Sequence, residues 1–414
     1  MALIAFLPEI AAFLIFIMMA TQVAQVGPIL VLIELALLAL LLVLRGRTAL
    51  LTALKWWPLL LAPILAAVST LWSDAPMTTL RYGVQFMLTA YIGVLLARLM
   101  TPRRFLVVFM VALFVFCIAC ILYGRQGTST EGMVLIGLTG SKNQMGYAAQ
   151  LLILAGLAVL LLKNVVAWLR WVAALCLPVG VYILLGVNSA TALLLGIGGA
   201  MMLLVLWFTE RMQPGGRLSA LLLVAVIATP LLLLIPEALQ AWDHFLYDTL
   251  DKDPTLTGRT ILWAHADDLI ARRPLLGYGY QAIWMGDSTE SVALKRIFGV
   301  TDGRTFHFHH QFRQVAVDTG LVGLAAFVGA LLAAGLNYIR QVLLHPSVPT
   351  SFFFVVFVLM TARGFTDLII SPINVHMVLF YAACTYAFWK PQEAAAPTPA
   401  MNNWRRLRPA RAPG

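Results

Sequence analysis

Long apolar runs alternate with short polar connections along this chain, and the runs have the length of a membrane helix, about 17–25 residues. They fall at 3–20, 27–44, 56–72, 83–99, 104–122, 144–162, 165–187, 190–208, 218–236, 314–339, 352–371 and 373–389. The pattern predicts an all-α integral membrane protein of about twelve transmembrane helices. One connection departs from the rest. Residues 237–313 hold no long apolar span, and a loop of that length is generally functional or unstructured. Its Trp242, Phe245, Tyr247, Trp263 and Trp284 are too many aromatics for disorder. The expected organisation is nine helices over 1–236, a functional outer loop with amphipathic helices over 237–313, three helices over 314–389, and a disordered basic tail over 390–414. With no cationic leader or small-residue cleavage site before Glu9, the first run reads as a retained span.

Charge orients the pattern. A cytoplasmic N-terminus gathers Arg45, Arg47, Lys55, Arg98, Arg103, Arg104, Lys163, Arg170, Arg211, Arg217 and Arg340 on one side, as the positive-inside rule requires, and returns the C-terminus to the cytoplasm. The outer face then receives the loops 74–81, 125–143, 188–191 and 237–313 and the chain near 363–367. Composition agrees, since 61% hydrophobic and 11% charged residues exclude an ordinary soluble domain. The formal charge of +10 is scattered between spans instead of clustered on one face, which argues against nucleic acid as a partner and for the lipid bilayer. Cys117, Cys120, Cys176 and Cys384 all fall in apolar runs and suggest neither a disulfide framework nor a zinc site.

Candidate chemistry concentrates between 257 and 323. Thr257 is placed to cap a helix in which Ile261, Leu262, Ala266, Leu269 and Ile270 repeat at helical spacing; Arg272 and Arg273 suit its last turn and Pro274 stops it. The expected element is an amphipathic helix on the outer membrane surface, covering a cavity between spans, followed by the tight turn Pro-Leu-Leu-Gly-Tyr-Gly-Tyr. His307, His309 and His310 then lead into a short helix that breaks near Gly320. Arg313, four residues after His309, is expected on the same face, where a guanidinium disfavours an imidazolium and so suits a general base. Adjacent histidines do not converge easily on an ion, and no carboxylate or Cys stands at familiar ligand spacing, so no metal and no cofactor is expected; a structural histidine cluster is the other alternative.

Arg259 is spaced to stack on Trp263 and reads either as a snorkelling interfacial arginine or as a planar donor to phosphate oxygens. Arg81, Arg125, Lys142 with the neighbouring Asn143, Arg273, His310, Arg313 and Arg363 are candidates for the same electropositive substrate pocket. Arg363 and Asp367 are also spaced to pair with each other. Glu34, the one acid well inside a span, reads as a hydrogen-bonded or protonated carboxyl facing a neighbouring helix. No GxxxxGK[ST] or GxGxxG is present to bind a nucleotide.

Several of these pieces resemble one family. TGR followed by Trp263, the PLLGYGY turn, a histidine leading into a helix with TGLVGL, and the earlier LWSDAPMTTLRYG and GLTGSKNQMGYAAQ are together similar to the bacterial O-antigen ligase and polymerase superfamily, from about Leu71 to Phe327. The resemblance implies a type C glycosyltransferase-like membrane enzyme. It would move a glycan from undecaprenyl diphosphate to the lipid A-core oligosaccharide during lipopolysaccharide synthesis, at the periplasmic face of the inner membrane, with inversion and without a metal. The family's catalytic histidine falls on His309 and its loop arginine on Arg259. Two departures stand out. His310 occupies a place where the family often has Asn, which leaves open which imidazole is the base. Ser189-Ala190-Thr191 lacks the arginine common there, with Arg125, Lys142 and Arg81 as candidate replacements. A polymerase of the same superfamily resembles a pattern of arginine-rich repeats in two large loops, whereas one large loop is expected here. A protein O-oligosaccharyltransferase would carry a larger outer C-terminal part. A polytopic transporter predicts mid-membrane charges, of which only Glu34 is present.

Overall fold

The computed structural model describes residues 6–23, 27–129, 132–223, 257–285, 288–299, 306–369 and 372–390. Its helices are α1 (Leu7–Ala20), α2 (Gly27–Trp56), α3 (Leu61–Val68), α4 (Pro76–Leu99), α5 (Pro102–Tyr123), α6 (Lys142–Leu161), α7 (Ala167–Val187), α8 (Ala190–Thr209), α9 (Thr257–Arg272), α10 (Ala282–Met285), α11 (Thr289–Ile297), α12 (Gln311–Leu344), α13 (Val348–Arg363) and α14 (Val375–Tyr386). Among the described residues, seven are long and apolar enough to cross a membrane and four more are apolar but shorter. The chain is therefore an all-α, multi-pass membrane protein. Most of the ninth expected span, the loop residues 237–256 and the basic tail lie outside the described residues.

Where expectation and structure differ, local chemistry gives the reason. The run 27–44 continues as one helix to Trp56, kinked at Arg45 (φ −127°, ψ 25°), because the residues after the kink are mostly strong helix formers; the expected polar connection is helical. Pro58 lacks an N–H and ends that helix, so the third run is short, α3 followed by a 3₁₀ turn over Ser69–Leu71. Residues 125–137, expected as an irregular loop, form an antiparallel hairpin, β1 (Arg125–Ser129) with β2 (Gly132–Gly137). The eleventh run, expected over 352–371, is helical only to Arg363, and a turn at Gly364–Asp367 follows.

Buried side chains of α1, α4, α5, α6, α13 and α14 make the core, with Phe105, Phe353 and Tyr386 in edge contact across three helices. Polar residues serve the helix ends. The buried Arg217 donates to Thr209 O (3.1 Å), Met212 O (2.7 Å) and Val342 O (3.2 Å), neutralising the exposed carbonyls that end α8 and α12. Glu34 is buried in α2, with Oε1 lacking a hydrogen-bond partner among the described residues. The four cysteines are buried thiols.

Candidate functional site

The site is assembled where α9, the start of α12 and the end of α13 meet. α9 begins at Thr257 and runs to Arg272 as expected, burying Leu262, Ala266 and Leu269; Ile261, assigned to the same face, is 49% exposed. After α9 the PLLGYGY turn docks into a break in α12. Gly320 has φ +68° there, so Val317 and Asp318 carbonyls lose their helical partners and accept Tyr278 N–H (3.0 Å) and Gly279 N–H (2.9 Å) instead. A Cβ on Gly320 would stand 2.1 Å from Leu275 O, so only glycine permits this approach. Trp72 Nε1 donates to Leu276 O (2.9 Å), which brings the LWSDAP stretch to the same turn.

Residues 306–310 are held against α9. Phe308 is wholly buried, and its carbonyl accepts from Trp263 Nε1 (3.0 Å). His310 caps α12 with Nδ1 accepting Arg313 N–H (3.4 Å) and meets Trp263 edge-on. His309 therefore precedes the helix, in the left-handed region at φ +50°, so the expected His309–Arg313 pairing along one helix face does not form. Arg313 instead pairs with Asp267 (2.7 and 3.1 Å) and covers Trp263 at 5.1 Å, taking the aromatic face proposed for Arg259. His310 is shifted down by burial and by Arg313, against Asp267.

The turn after α13 completes the group. Gln311 N–H donates to Gly364 O (2.7 Å) and Gln311 Oε1 accepts Ile369 N–H (2.9 Å), fixing Asp367 beside the histidines. Asp367 Oδ2 accepts from Arg363 Nη2 at 3.0 Å, while Oδ1 lies 3.8 Å from His307 Nε2 and 3.7 Å from His309 Nδ1. The His307 and His309 rings are 4.0 Å apart, and His307 Nδ1 accepts the His309 backbone N–H (3.1 Å), which assigns the His307 proton to Nε2, facing Asp367. Burial, then His309, against Asp367 and aided by Arg259 and Arg363, brings His307 down to about 3. Burial alone would raise Asp367, but the imidazole of His309 and the guanidinium of Arg363 hold it well below the usual carboxylate range. Arg363 also lies 4.3 Å over the Tyr147 ring, with Nη2 3.5 Å from Asn143 O.

Arg259, Arg363, Asp367, Asn143, Gln150 and Ser189 line one narrow cleft of about 60 Å³. Arg363 thus shares a cleft with Ser189, beside the position that lacks an arginine. The other cations expected to share this pocket are engaged elsewhere. Arg81 lies 5.4 Å over Tyr82, Arg125 donates to Thr139 O (3.0 Å), and Arg273 pairs with Asp74 (2.8 Å) over Tyr278; Lys142 opens α6 one residue before Asn143. None of these four lines the cleft.

His307, His309 and Asp367 offer three ligand atoms within 4.8 Å of one another, a carboxylate partner that sequence spacing did not reveal. An ion there would face Arg363, already paired with the same carboxylate, and the field of Arg259, so the charge distribution favours an anion over a cation. Sequence spacing pairs Asp367 only with Arg363; its place beside the histidines depends on the fold, because some 60 residues separate them.

The fold and cleft define a multi-pass membrane protein with an arginine-lined, anion-attracting site at one end of the bundle. Residues 181–328 match the family model described as O-antigen ligase. The chain is also 28% identical over 327 residues to the exopolysaccharide production protein ExoQ of Rhizobium meliloti (strain 1021), covering 77% of this chain and 74% of that protein. Both similarities point to the O-antigen ligase superfamily, whose members are glycosyltransferase-like enzymes. The matched segment includes Arg259 and His309 but not Arg363 and Asp367.

Proposed function

We propose that the protein transfers a glycan from undecaprenyl diphosphate to a sugar hydroxyl of the lipid A-core oligosaccharide, at the periplasmic face of the bacterial inner membrane. The observation that carries this reading is the convergence of Arg259 and Arg363 on one cleft whose carboxylate, Asp367, reaches the His307–His309 pair. The donor's diphosphate is both the anchor and the leaving group. Fixed guanidinium forks stabilise the negative charge that grows on it as the anomeric bond breaks. His309 takes the proton of the attacking hydroxyl. Asp367 beside Nδ1 favours the tautomer with the proton on that nitrogen, leaving the Nε2 lone pair to act as base, the orienting arrangement seen in Asp–His pairs. The two alternatives are less suited: His310 Nδ1 is engaged in capping α12, and His307 presents Nε2–H to Asp367. One displacement at the anomeric carbon inverts its configuration. Arg363 supplies the cation that the Ser189 region lacks.

A second reading keeps the chemistry and changes the acceptor. The similarity to an exopolysaccharide production protein, which spans most of both chains, favours a glycan end as the attacking hydroxyl. Purified protein mixed with lipid-linked glycan and lipid A-core distinguishes them. A heavier lipid A-core product supports the ligase, whereas longer glycan on the polyprenyl carrier supports the polymerase. No transfer with either acceptor removes both readings.

A further inference from the structure

The opposite end of the bundle holds a second cationic region. From Arg363 at the cleft, α13 runs 16 residues back to Val348, roughly 24 Å at 1.5 Å per residue. Around its far end lies a cavity of about 800 Å³ that includes Arg103, Arg340, His345 and Lys390. It shares the lining residues Asn337, Phe388 and Lys390 with a second cavity of about 630 Å³. The floor of that second cavity is Ala325, Ala326, Gly329, Ala330 and Ala333 of α12, and its wall is Trp56, Leu59 and Leu61 with Lys55 at the edge.

Among the described residues, no Asp or Glu lines either cavity. Arg340 and Lys390 are exposed, and Arg103 is fixed by donating to Lys163 O (2.7 Å) and Asn164 O (2.9 Å). The small side chains of α12 leave a largely apolar channel between that helix and the α2–α3 corner, and Lys390 lines both this channel and the cationic cavity. A soluble anion would use the cations and leave the channel empty. A neutral lipid would use the channel and leave uncompensated positive charge. A molecule with a phosphate at one end and hydrocarbon at the other satisfies both.

We propose that this composite cavity binds an anionic phospholipid, its phosphate against Arg340 and Lys390 and an acyl chain along Ala325–Ala333. The site is separate from the cleft and does not depend on the transfer reaction. The test uses the purified full chain, delipidated in detergent and titrated with phosphatidylglycerol, phosphatidylethanolamine or inorganic phosphate, with binding read by native mass spectrometry and stability by thermal unfolding. Phosphatidylglycerol is expected to stay bound and to raise the unfolding temperature, with the other two giving little. Arg340→Gln, which removes one charge, and Ala330→Trp, which fills the channel, are each expected to weaken phosphatidylglycerol binding by about tenfold. Arg170→Glu, an exposed charge change at the start of α7, is expected to leave it unaltered. Equal binding of the two phospholipids, or the full stabilisation by phosphate alone, would overturn the proposal. A photoreactive residue at Ala333 should cross-link to lipid in membranes; cross-linking to the chain's own segment after Lys390 would also overturn it.

Discussion

The two cationic ends of the bundle are built in opposite ways. At the cleft, Arg363 is 12% exposed, paired with Asp367 and lying on Tyr147, in a space of about 60 Å³. At the other end Arg340 and Lys390 stand exposed around about 800 Å³ with no lining acid among the described residues. A guanidinium fixed by a counter-ion and an aromatic face before substrate arrives needs no reorganisation as charge develops, which is what transition-state stabilisation demands. Exposed cations around a wide cavity adapt to a fluid partner and confer attraction without precise geometry. On the two proposals the same residue type would serve chemistry at one end and lipid attachment at the other, and the supporting residues make the difference.

The sharpest test of the contrast is His309→Ala. Glycan transfer is expected to fall by about 10²–10⁴-fold in a reconstituted assay, with the unfolding temperature unchanged. Full activity would move the base to another imidazole. Arg259→Lys and Arg363→Lys come next, each expected to cost about 10²–10³-fold, because a point charge cannot replace a fork. Arg340→Lys at the far end should leave the rate unaltered; an equal loss there would erase the distinction between the two ends. Chelators should not change the rate. Loss of transfer restored by a divalent cation would instead put an ion among His307, His309 and Asp367.

A smaller effect is expected from pH. His307 is held neutral in the fold, at about 3 against 6.5, so the unfolded chain binds the extra proton first as pH falls. Its contribution is intact above 6.5 and is lost progressively from 6.5 toward 3; the depressed Asp367 acts in the same direction. Thermal unfolding across that range should show the decline, and His307→Gln should flatten it. The smallest change is Arg273→Ala, which breaks a half-exposed ion pair with Asp74 and is expected to cost at most about 1 kcal/mol of stability with no loss of transfer.

Much of the site was legible because its parts are local. The cap-to-proline grammar from Thr257 to Pro274 described α9, and Gly320 marked the break in α12. What misled was treating sequence spacing as helical contact. His309 lies one residue before the cap of α12, so its four-residue offset from Arg313 carries no facing geometry, and Trp263 is covered by Arg313 instead of Arg259. The hairpin at 125–137 leaves little signal in the sequence because its pairing is short and its alternation of polar and apolar residues is weak.

By itself the sequence determined that the protein is helical and membrane-bound, because apolar runs of this length have no other low-energy environment and must satisfy their backbone internally. It also determined which residue types were available for chemistry on the loops. Only the tertiary structure decided which of many arginines come together. Arg81 and Arg125 are held on partners close in sequence and Arg273 on the distant Asp74, while Arg259 and Arg363, more than a hundred residues apart, share one cleft. It also brought Asp367 to the histidines, through the hydrogen bonds of Gln311 to Gly364 and Ile369. The reason is physical: hydrophobicity is additive along a chain and can be read from it, whereas electrostatic function depends on distances of a few ångströms between groups that only packing brings together.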